Sequence, residues 1–367
     1  GMSVGTKLLQ AAAGNAGEVV YVDDVFSTFL WTGDSSGSRS INNGIDLNGE
    51  GGLVWIKGRT AAYDHALYDT ARGATKEMYS NKTDASSTNS NALTSFNSNG
   101  FNIGSGPIVN NNNDDYVAWS FRKAEKFFDI VTWTGSGAAN HTINHNLGSV
   151  PGMIIWKKYS NTDSWGVYHR SFTGYILLEG TAGNSTVVID NVTDTSFRLK
   201  YDYGFLNASS ETYIAYIFGH NEAEYGQNSD EAIIHCGTYT GSGSTGKFVD
   251  LGFEPQWVLV KNTDTSAPWV LIDTMRGMPV DGDGVRLLAD QNVAEVSSAS
   301  YFAPRPTGME VTQQNTYVNT SGQDYVYMAI RRPNKPASEL TATDLFTLQA
   351  QSPGEGADTF ISTGFNV

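Results

Sequence analysis

The sequence predicts an all-β protein, a tandem array of three antiparallel β-sandwich units of about 100 residues each, of jelly-roll or Ig-like type, plus an incomplete fourth. A pair of apolar strands recurs three times along the 367 residues. Glycine is abundant at 39 residues, whereas charged residues make up only 17%. Short apolar–polar alternations are separated by polar turn signals, which is typical of half-buried strands.

The central strand pair joins an apolar strand that ends in lysine to a second strand after a fixed interval. It occurs at Leu53–Lys57 with His65–Gly73, at Met153–Lys157 with Trp165–Ser171, and at Trp257–Lys261 with Trp269–Gly277. All 8 tryptophans lie in recurring strands. Large rings in repeated strands indicate core, so we expect each unit to bury its own hydrophobic core.

Each unit opens on a strand that runs into a Gly/Ser loop with an apolar return, namely Phe29–Gly33, Val131–Gly135 and Gly237–Gly241. This pattern predicts a hairpin. Each unit closes on an apolar strand preceded by Asn110, Asn207 or Asn319. We expect that asparagine to bond its own backbone and hold the turn.

Charge and proline interrupt the alternation between units and set the predicted boundaries. The segments are a flexible leader at 1–17, repeats at 18–124, 125–226 and 227–338, and the start of a truncated fourth repeat at 339–367. Phe360–Phe365 lines up with Phe248–Phe253 of the third repeat. We therefore expect the chain to be a fragment or a truncated product.

Charge and cysteine content narrow the function classes. The net charge of −15 disfavours nucleic acid and anionic membrane surfaces as partners. Cys236 is the only cysteine, so neither a disulfide framework nor a thiolate metal site is predicted. We find no apolar run long enough to insert in a membrane and no signal-peptide pattern, so we expect a protein that does not use the ordinary secretory route.

Two Gly/Ser loops match catalytic or nucleotide-binding patterns by residue type alone. Gly241–Gly246 satisfies the dinucleotide fingerprint, but that motif requires a helix directly afterwards and the sequence predicts a strand. Gly33–Gly37 matches a nucleophile elbow. The 6 histidines recur at no fixed position, so a polar turn is the better interpretation.

Acidic residues provide weak metal and catalytic candidates. Asp281 and Asp283 resemble the start of a calcium loop, but the remaining ligands of that motif are missing, so a solvated turn is favoured over a Ca²⁺ site. No other cofactor is predicted. Asp69 with Arg72 and Asp273 with Arg276 predict a strand-end salt bridge, of little energetic value if exposed. No carboxylate pair is singled out for glycoside hydrolysis.

Aromatic residues in the segments that do not repeat are the candidates for a ligand-binding surface. Loops on a rigid scaffold often carry function, and exposed rings can stack on sugars. The candidates are Tyr63 in the first unit, Tyr175, Tyr201 and Tyr203 in the second, and Tyr301 and Phe302 in the third.

Several phrases of the sequence resemble the repeats of large virion structural and tail-fibre-like proteins of marine tailed phages. They are Tyr21–Thr28, Asn43–Lys57, Asp69–Lys76, Leu93–Phe101, Tyr116–Phe121, His145–Ile155 and Leu251–Trp257. The resemblance implies a non-enzymatic structural protein of the virion, assembled in the host cytoplasm and acting outside it. Its implied partners are other virion proteins and a host-surface glycan.

Three alternatives stay open beside that expectation. A carbohydrate-degrading depolymerase would need a cleft with convergent carboxylates in one unit only. A glycan-binding module or adhesin of a marine bacterium would need a route of secretion. Fibre proteins are often trimers, so a homotrimer is a further expectation, although the sequence has no heptads of a trimeric stalk.

Overall fold

The apolar alternations fold into antiparallel strands throughout residues 19–180 and 183–335, which are the residues that the computed structural model describes. The described residues up to Pro333 form one compact unit. The predicted leader, 1–17, and the predicted fourth repeat, 339–367, lie outside the described residues. No helix within the described part is long and apolar enough to cross a membrane.

Nine strands make up each repeat. Repeat 1 contains β1 (Phe26–Thr32), β2 (Arg39–Asn42), β3 (Gly52–Gly58), β4 (Ala66–Asp69), β5 (Lys76–Tyr79), β6 (Ser87–Thr88), β7 (Leu93–Asn97), β8 (Gly100–Ile103) and β9 (Asp115–Arg122). Repeat 2 contains β10 (Phe128–Thr134), β11 (His141–Asn144), β12 (Met153–Lys158), β13 (Trp165–His169), β14 (Tyr175–Leu177), β15 (Gly183–Asn184), β16 (Ile189–Asp190), β17 (Ser196–Leu199) and β18 (Thr212–Phe218). Repeat 3 contains β19 (Ile234–Thr240), β20 (Lys247–Asp250), β21 (Pro255–Asn262), β22 (Val270–Asp273), β23 (Asp283–Leu288), β24 (Val296–Ala299), β25 (Phe302–Arg305), β26 (Gly308–Val311) and β27 (Asp324–Arg331). Single-turn helices are α1 (Val22–Val25), α2 (Pro107–Asn110) and α3 (Gly204–Asn207).

The same sheet topology occurs three times. In repeat 1 a six-stranded sheet, ordered β1-β9-β3-β4-β5-β6, faces a three-stranded sheet, ordered β2-β8-β7. Repeat 2 has β10-β18-β12-β13-β14-β15 with β11-β17-β16, and repeat 3 has β19-β27-β21-β22-β23-β24 with β20-β26-β25. The predicted all-β class and the repeated antiparallel sandwich are confirmed.

The predicted opening hairpin is wrong. Strand β1 pairs with β9 in the large sheet, whereas β2 pairs with β8 in the small sheet. The Gly/Ser loop therefore crosses from one sheet to the other. Glycine is required where the loop starts, because a Cβ on Gly33 would lie 2.0 Å from the carbonyl oxygen of Asn111.

The recurring asparagine holds that crossing loop, and the prediction that it bonds its own turn is wrong. Asn110 is buried, its side-chain oxygen accepts from the backbone N–H of Asp34 at 3.0 Å, and its amide donates to the carboxylate of Asp34. Asn207 and Asn319 accept in the same way from Ser136 and Ser242. The asparagine thus joins segments that are far apart in sequence.

The large sheets are buried on both faces. All residues of β3 are buried: Val54 and Ile56 face the core inside repeat 1, whereas Leu53 and Trp55 face a second core to which all three repeats contribute. The expectation that each unit buries its own core was incomplete, because it missed this shared core. The prediction that the tryptophans are core residues is confirmed, since all eight are buried.

Hydrogen bonds between the repeats close a ring around the shared core. The hub, defined as Asp69, His169 and Asp273, occupies the last position of β4, β13 and β22. Tyr216 of repeat 2 donates to Asp69 at 2.8 Å, and Trp119 of repeat 1 donates to Asp273 at 3.0 Å. His169 Nε2 lies 3.0 Å from the carbonyl oxygen of Tyr327 in repeat 3. Each repeat therefore contacts both others.

Candidate functional site

The loop that follows the middle strand of the small sheet has a similar length in all three repeats but carries different side chains. In repeat 1, a Cβ on Gly104 or Gly106 would lie 2.7 Å from the carbonyl oxygen of Asn91, so this loop lies flat on the backbone beneath it. In repeat 2 the loop carries Tyr201 and Tyr203. In repeat 3 it carries Gln313 and Asn315. The scaffold is the same in each case, so the loops are where function can differ.

In repeat 2 this loop and β14 together form a row of aromatic rings, which we call the tyrosine platform: Tyr175 of β14, and Tyr201, Tyr203 and Phe205 of the loop. The rings of Tyr201 and Tyr203 stack with centroids 4.7 Å apart and planes 16° apart. Tyr203 and Phe205 follow at 6.3 Å and 22°, and Tyr175 lies 5.3 Å from Phe205. Three of the predicted ligand-binding residues, Tyr175, Tyr201 and Tyr203, are therefore brought together.

The platform is anchored to the core of its repeat. Phe205 lies in α3, its ring is 5.8 Å from that of Trp156, and its carbonyl oxygen accepts from Trp156 Nε1 at 3.1 Å. Trp156 is fully buried. Rings fixed in this way lose little conformational entropy when a ligand binds, which favours affinity.

The polar ends of the platform are free for a ligand. Tyr203 is 43% exposed, and Tyr175 and Tyr201 are half-buried. Within the described part of the chain, none of the three phenol oxygens has a hydrogen-bond partner. Burial, and to a smaller extent the charge of Tyr203, raises the pKa of Tyr175, so the phenol stays protonated and can donate or accept.

The other predicted aromatics are located differently. Tyr63 is half-buried, stacks on Tyr116 at 6.0 Å and donates to Asp114 at 2.8 Å, so it already has partners. Phe302 is 0% exposed in β25, and Tyr301 is buried beneath the guanidinium of Arg286. The expectation of surface aromatics in repeat 3 is corrected, because both rings fill the core of that repeat.

The predicted calcium residues lie in a shallow cleft of repeat 3. Asp281 and Asp283 are exposed and line it together with Val280, Ser300 and Gln313. Across residues 19–180 and 183–335, no group of three or more histidine, cysteine or acidic side chains is arranged to hold a metal ion. The cleft thus offers two carboxylates and hydroxyl groups, but no complete cation cage.

The repeated acid–arginine pairs are salt bridges, as predicted, but they are not exposed. Arg72 lies 2.6 Å from Asp69 with 3% and 0% of the side chains exposed, and Arg276 lies 2.6 Å from Asp273 with both side chains at 0%. The aspartates belong to the hub, so each pair supports the contact between repeats. Such groups cannot reach a substrate.

The lysine that ends the central strand is also structural. Lys57, Lys157 and Lys261 are fully buried and donate to backbone carbonyl oxygens, and burial lowers the pKa of each to about 8. Lys57 reaches Asn292 of repeat 3, and Lys157 reaches Thr83 of repeat 1. The lysine recurs because it ties a strand end to its neighbour.

The motif interpretations from the sequence agree with the structure. The loop at Gly241–Gly246 is followed by the strand β20 and the loop at Gly33–Gly37 by the strand β2, so neither presents a helix N-terminus. Cys236 is buried, and burial raises the pKa of its thiol, which keeps it protonated.

Two residues of this site are not among the candidates predicted from the sequence: Phe205 of the platform and Lys200 beside it. A signal for Phe205 was present, because Tyr201, Tyr203 and Phe205 are aromatic residues at alternate positions; Phe205 lies in α3, and its ring stacks on that of Tyr203. Lys200 lies beside them, with Nζ 5.5 Å from the ring centroid of Tyr201.

Comparison with known proteins gives a family without an assigned activity. Among curated proteins, none matches the sequence significantly. A family model matches residues 22–333, which includes every strand described above. The chain therefore belongs to the family described as Domain of unknown function (DUF7483).

Proposed function

We propose that the chain is a structural protein of a phage particle, in the tail or its fibres, that contributes to host attachment by binding surface glycans through the tyrosine platform. The observation that carries the glycan-binding part is the stacked, partly exposed pair of Tyr201 and Tyr203, which the corresponding loops of repeats 1 and 3 lack. The placement in a virion, among other virion proteins, is supported by the sequence resemblance.

Chemistry favours a sugar as the occupant of the platform. A pyranose presents a face of C–H groups that packs on an aromatic ring, and its hydroxyl groups bond to phenol oxygens at the rim. The platform offers exposed aromatic surface at Tyr203, 43% of which is accessible, and phenol oxygens that have no protein partner in the described part. The net charge of −15 opposes nucleic acid as the ligand.

The three-repeat scaffold suits a part of a particle exposed to the environment. Its hub and buried lysines link the repeats, and the shared core joins them without a disulfide between described residues. A rigid body of this kind can hold one loop in a defined orientation toward a surface.

A glycan array probed with the purified chain tests the glycan-binding part. We expect binding to a subset of glycans, reduced at least about tenfold by the double variant Tyr201→Ala/Tyr203→Ala, because central aromatic residues dominate such contacts. Phe248→Ala is the matched control, since Phe248 is 48% exposed in repeat 3, far in sequence from the platform. Binding by neither protein, or equal binding by wild type and the double variant, would refute the proposal.

Two further measurements separate the proposed role from its alternatives. A reducing-end assay on each bound glycan is expected to show no release of sugar; release would favour the depolymerase.

Mass spectrometry of purified virions of the encoding phage is expected to detect the chain. Its absence from the particle would contradict the virion part and leave the glycan-binding part to stand alone.

A further inference from the structure

We infer that the tyrosine platform selects acidic glycans, meaning pyranose chains that carry carboxylate or sulfate groups, through the ammonium group of Lys200. This inference rests on the proposed function and names the ligand class of the same site. It is supported by two observations: the ammonium group of Lys200 lies beside the stacked rings, and two nearby acids, Asp190 and Asp163, form ion pairs with other residues.

Lys200 is held at the platform by its backbone and by its ring contact. It follows β17 directly, and its N–H donates to the carbonyl oxygen of Val188 at 2.9 Å. Its Nζ lies 5.5 Å from the centroid of Tyr201, a cation–π distance. Among residues 19–180 and 183–335, no carboxylate lies within ion-pair distance of this ammonium group.

Two acids near the platform, Asp190 and Asp163, form ion pairs with other residues. Asp190 binds Arg198 through both carboxylate oxygens, at 2.7 and 2.9 Å. The hydrogen bond with Arg198 chiefly lowers the pKa of Asp190, and Lys200 contributes less. Asp163 forms an ion pair with Lys158. Neither acid forms a direct ion pair with Lys200, so its ammonium group can contact a ligand.

Asp202, the acid next to Tyr201 in sequence, is exposed and forms no ion pair with Lys200 in the described part of the chain. An anionic group on a sugar that contacts Tyr203 meets the ammonium group one ring further along the row.

The other two repeats lack this combination. Thr312 follows the corresponding strand in repeat 3, and in repeat 1 the segment between strand and asparagine is shorter and starts with Gly104. Since the whole chain carries a charge of −15, a preference for acidic glycans has to come from a local contact and not from long-range attraction.

The test compares neutral and acidic forms of one backbone. The full chain is titrated by calorimetry with neutral and sulfated galactan oligosaccharides, and with neutral mannan and mannuronate oligosaccharides. We expect each acidic form to bind roughly three- to fivefold more tightly, the range of a surface ion pair. A preference confined to one series identifies sulfate or carboxylate as the recognised group.

Three variants assign the effect. Lys200→Gln is expected to abolish the preference and to keep the binding of the neutral form, whereas Lys200→Arg keeps both. Lys76→Gln is the control for net charge, because Lys76 is an exposed lysine of repeat 1. Equal binding of both forms, or a preference that survives Lys200→Gln, overturns this inference while glycan binding stands; no binding of any glycan overturns both.

Discussion

Repeats 1 and 3 close their contacts with an aspartate, whereas repeat 2 uses a histidine at the same position. Asp69 and Asp273 each accept from a ring donor of a neighbouring repeat, Tyr216 and Trp119. In β27, the strand of repeat 3 that corresponds to β9 and β18, the position of Trp119 and Tyr216 holds Met328, whose side chain cannot donate a hydrogen bond. His169 supplies the donor in that interface and bonds the carbonyl oxygen of Tyr327 instead.

The difference shows that each interface between repeats needs a donor paired with an acceptor, whereas the residue types that supply them can change. A carbonyl oxygen can only accept, so Nε2 of His169 carries the proton, which agrees with Nδ1 accepting from the N–H of Ser171. An unpaired polar group at this depth would cost about 1–3 kcal/mol. Replacing the aspartate acceptor by a histidine donor therefore keeps a hydrogen bond at all three interfaces between the repeats.

The largest effect is expected from Asp69→Ala. It removes the one carboxylate that Arg72 bonds within the described part of the chain and leaves that guanidinium buried. Breaking such a pair typically costs about 3–5 kcal/mol. Urea denaturation measures the loss, with the exposed Asp281→Ala as control, which should change stability by less than about 0.5 kcal/mol. A loss for Asp69→Ala as small as that of the control would contradict the structural role of the hub.

A smaller loss, about 2–3 kcal/mol, is expected from Asp273→Ala. Arg276 also lies 3.0 Å from Glu295, so one acid remains after the substitution. The double variant Asp273→Ala/Glu295→Gln is expected to lose more than the sum of the single variants, because the second change leaves Arg276 unpaired. Strictly additive losses in urea denaturation would show that Glu295 does not substitute for Asp273.

The histidine of repeat 2 is expected to make stability depend on mild acid. Burial lowers the pKa of His169 from 6.5 to about 4. The unfolded state therefore binds the extra proton first, so this contribution is complete above pH 6.5 and is lost as the pH falls toward 4. The loss is on the order of 3 kcal/mol, since each pKa unit corresponds to about 1.4 kcal/mol.

His169→Gln tests that pH dependence. Glutamine can still donate to the carbonyl oxygen of Tyr327 but does not titrate, so the stability difference between wild type and variant is expected to shift in favour of the variant from pH 6.5 to 4. His220, with a pKa lowered to about 3 chiefly by burial, adds to the slope in both proteins and cancels in the comparison except for the small part of its shift that comes from the charge of His169. Parallel pH profiles would contradict the assignment to His169.

Local patterns in the sequence predicted what lies within one repeat and missed what joins the repeats. The sandwich and its tryptophan core follow from strand periodicity. The contact between Trp119 and Asp273 depends on how whole sheets pack, which no local pattern encodes. For the same reason the sequence predicted that Asn110 stabilises a local turn, although its hydrogen-bond partner Asp34 belongs to the distant opening loop.

The candidate site was predictable in repeat 2 and not in repeat 3. Tyr201 and Tyr203 were predicted as ligand-binding candidates because they are aromatic residues in a segment that does not repeat, and the structure places both at the surface or half-buried. Phe302 also lies in a segment that does not repeat, but that segment folds as β25 and points its ring inward. A segment whose sequence differs between the repeats is a candidate for binding, but only its exposed side chains can contact a ligand.

The smallest effect on stability is expected where the effect on binding is largest. Tyr201 stacks on Tyr203 and packs partly against the core inside repeat 2, but neither ring contributes to the hub or to the shared core. Their replacement by alanine should therefore lower the free energy of unfolding by less than about 1 kcal/mol, the usual range for surface sites plus one ring pair. Urea denaturation of Tyr201→Ala/Tyr203→Ala beside Asp69→Ala measures this. A loss comparable to that of Asp69→Ala would mean that the platform is part of the scaffold, and reduced glycan binding by the double variant would then report unfolding and not a lost contact.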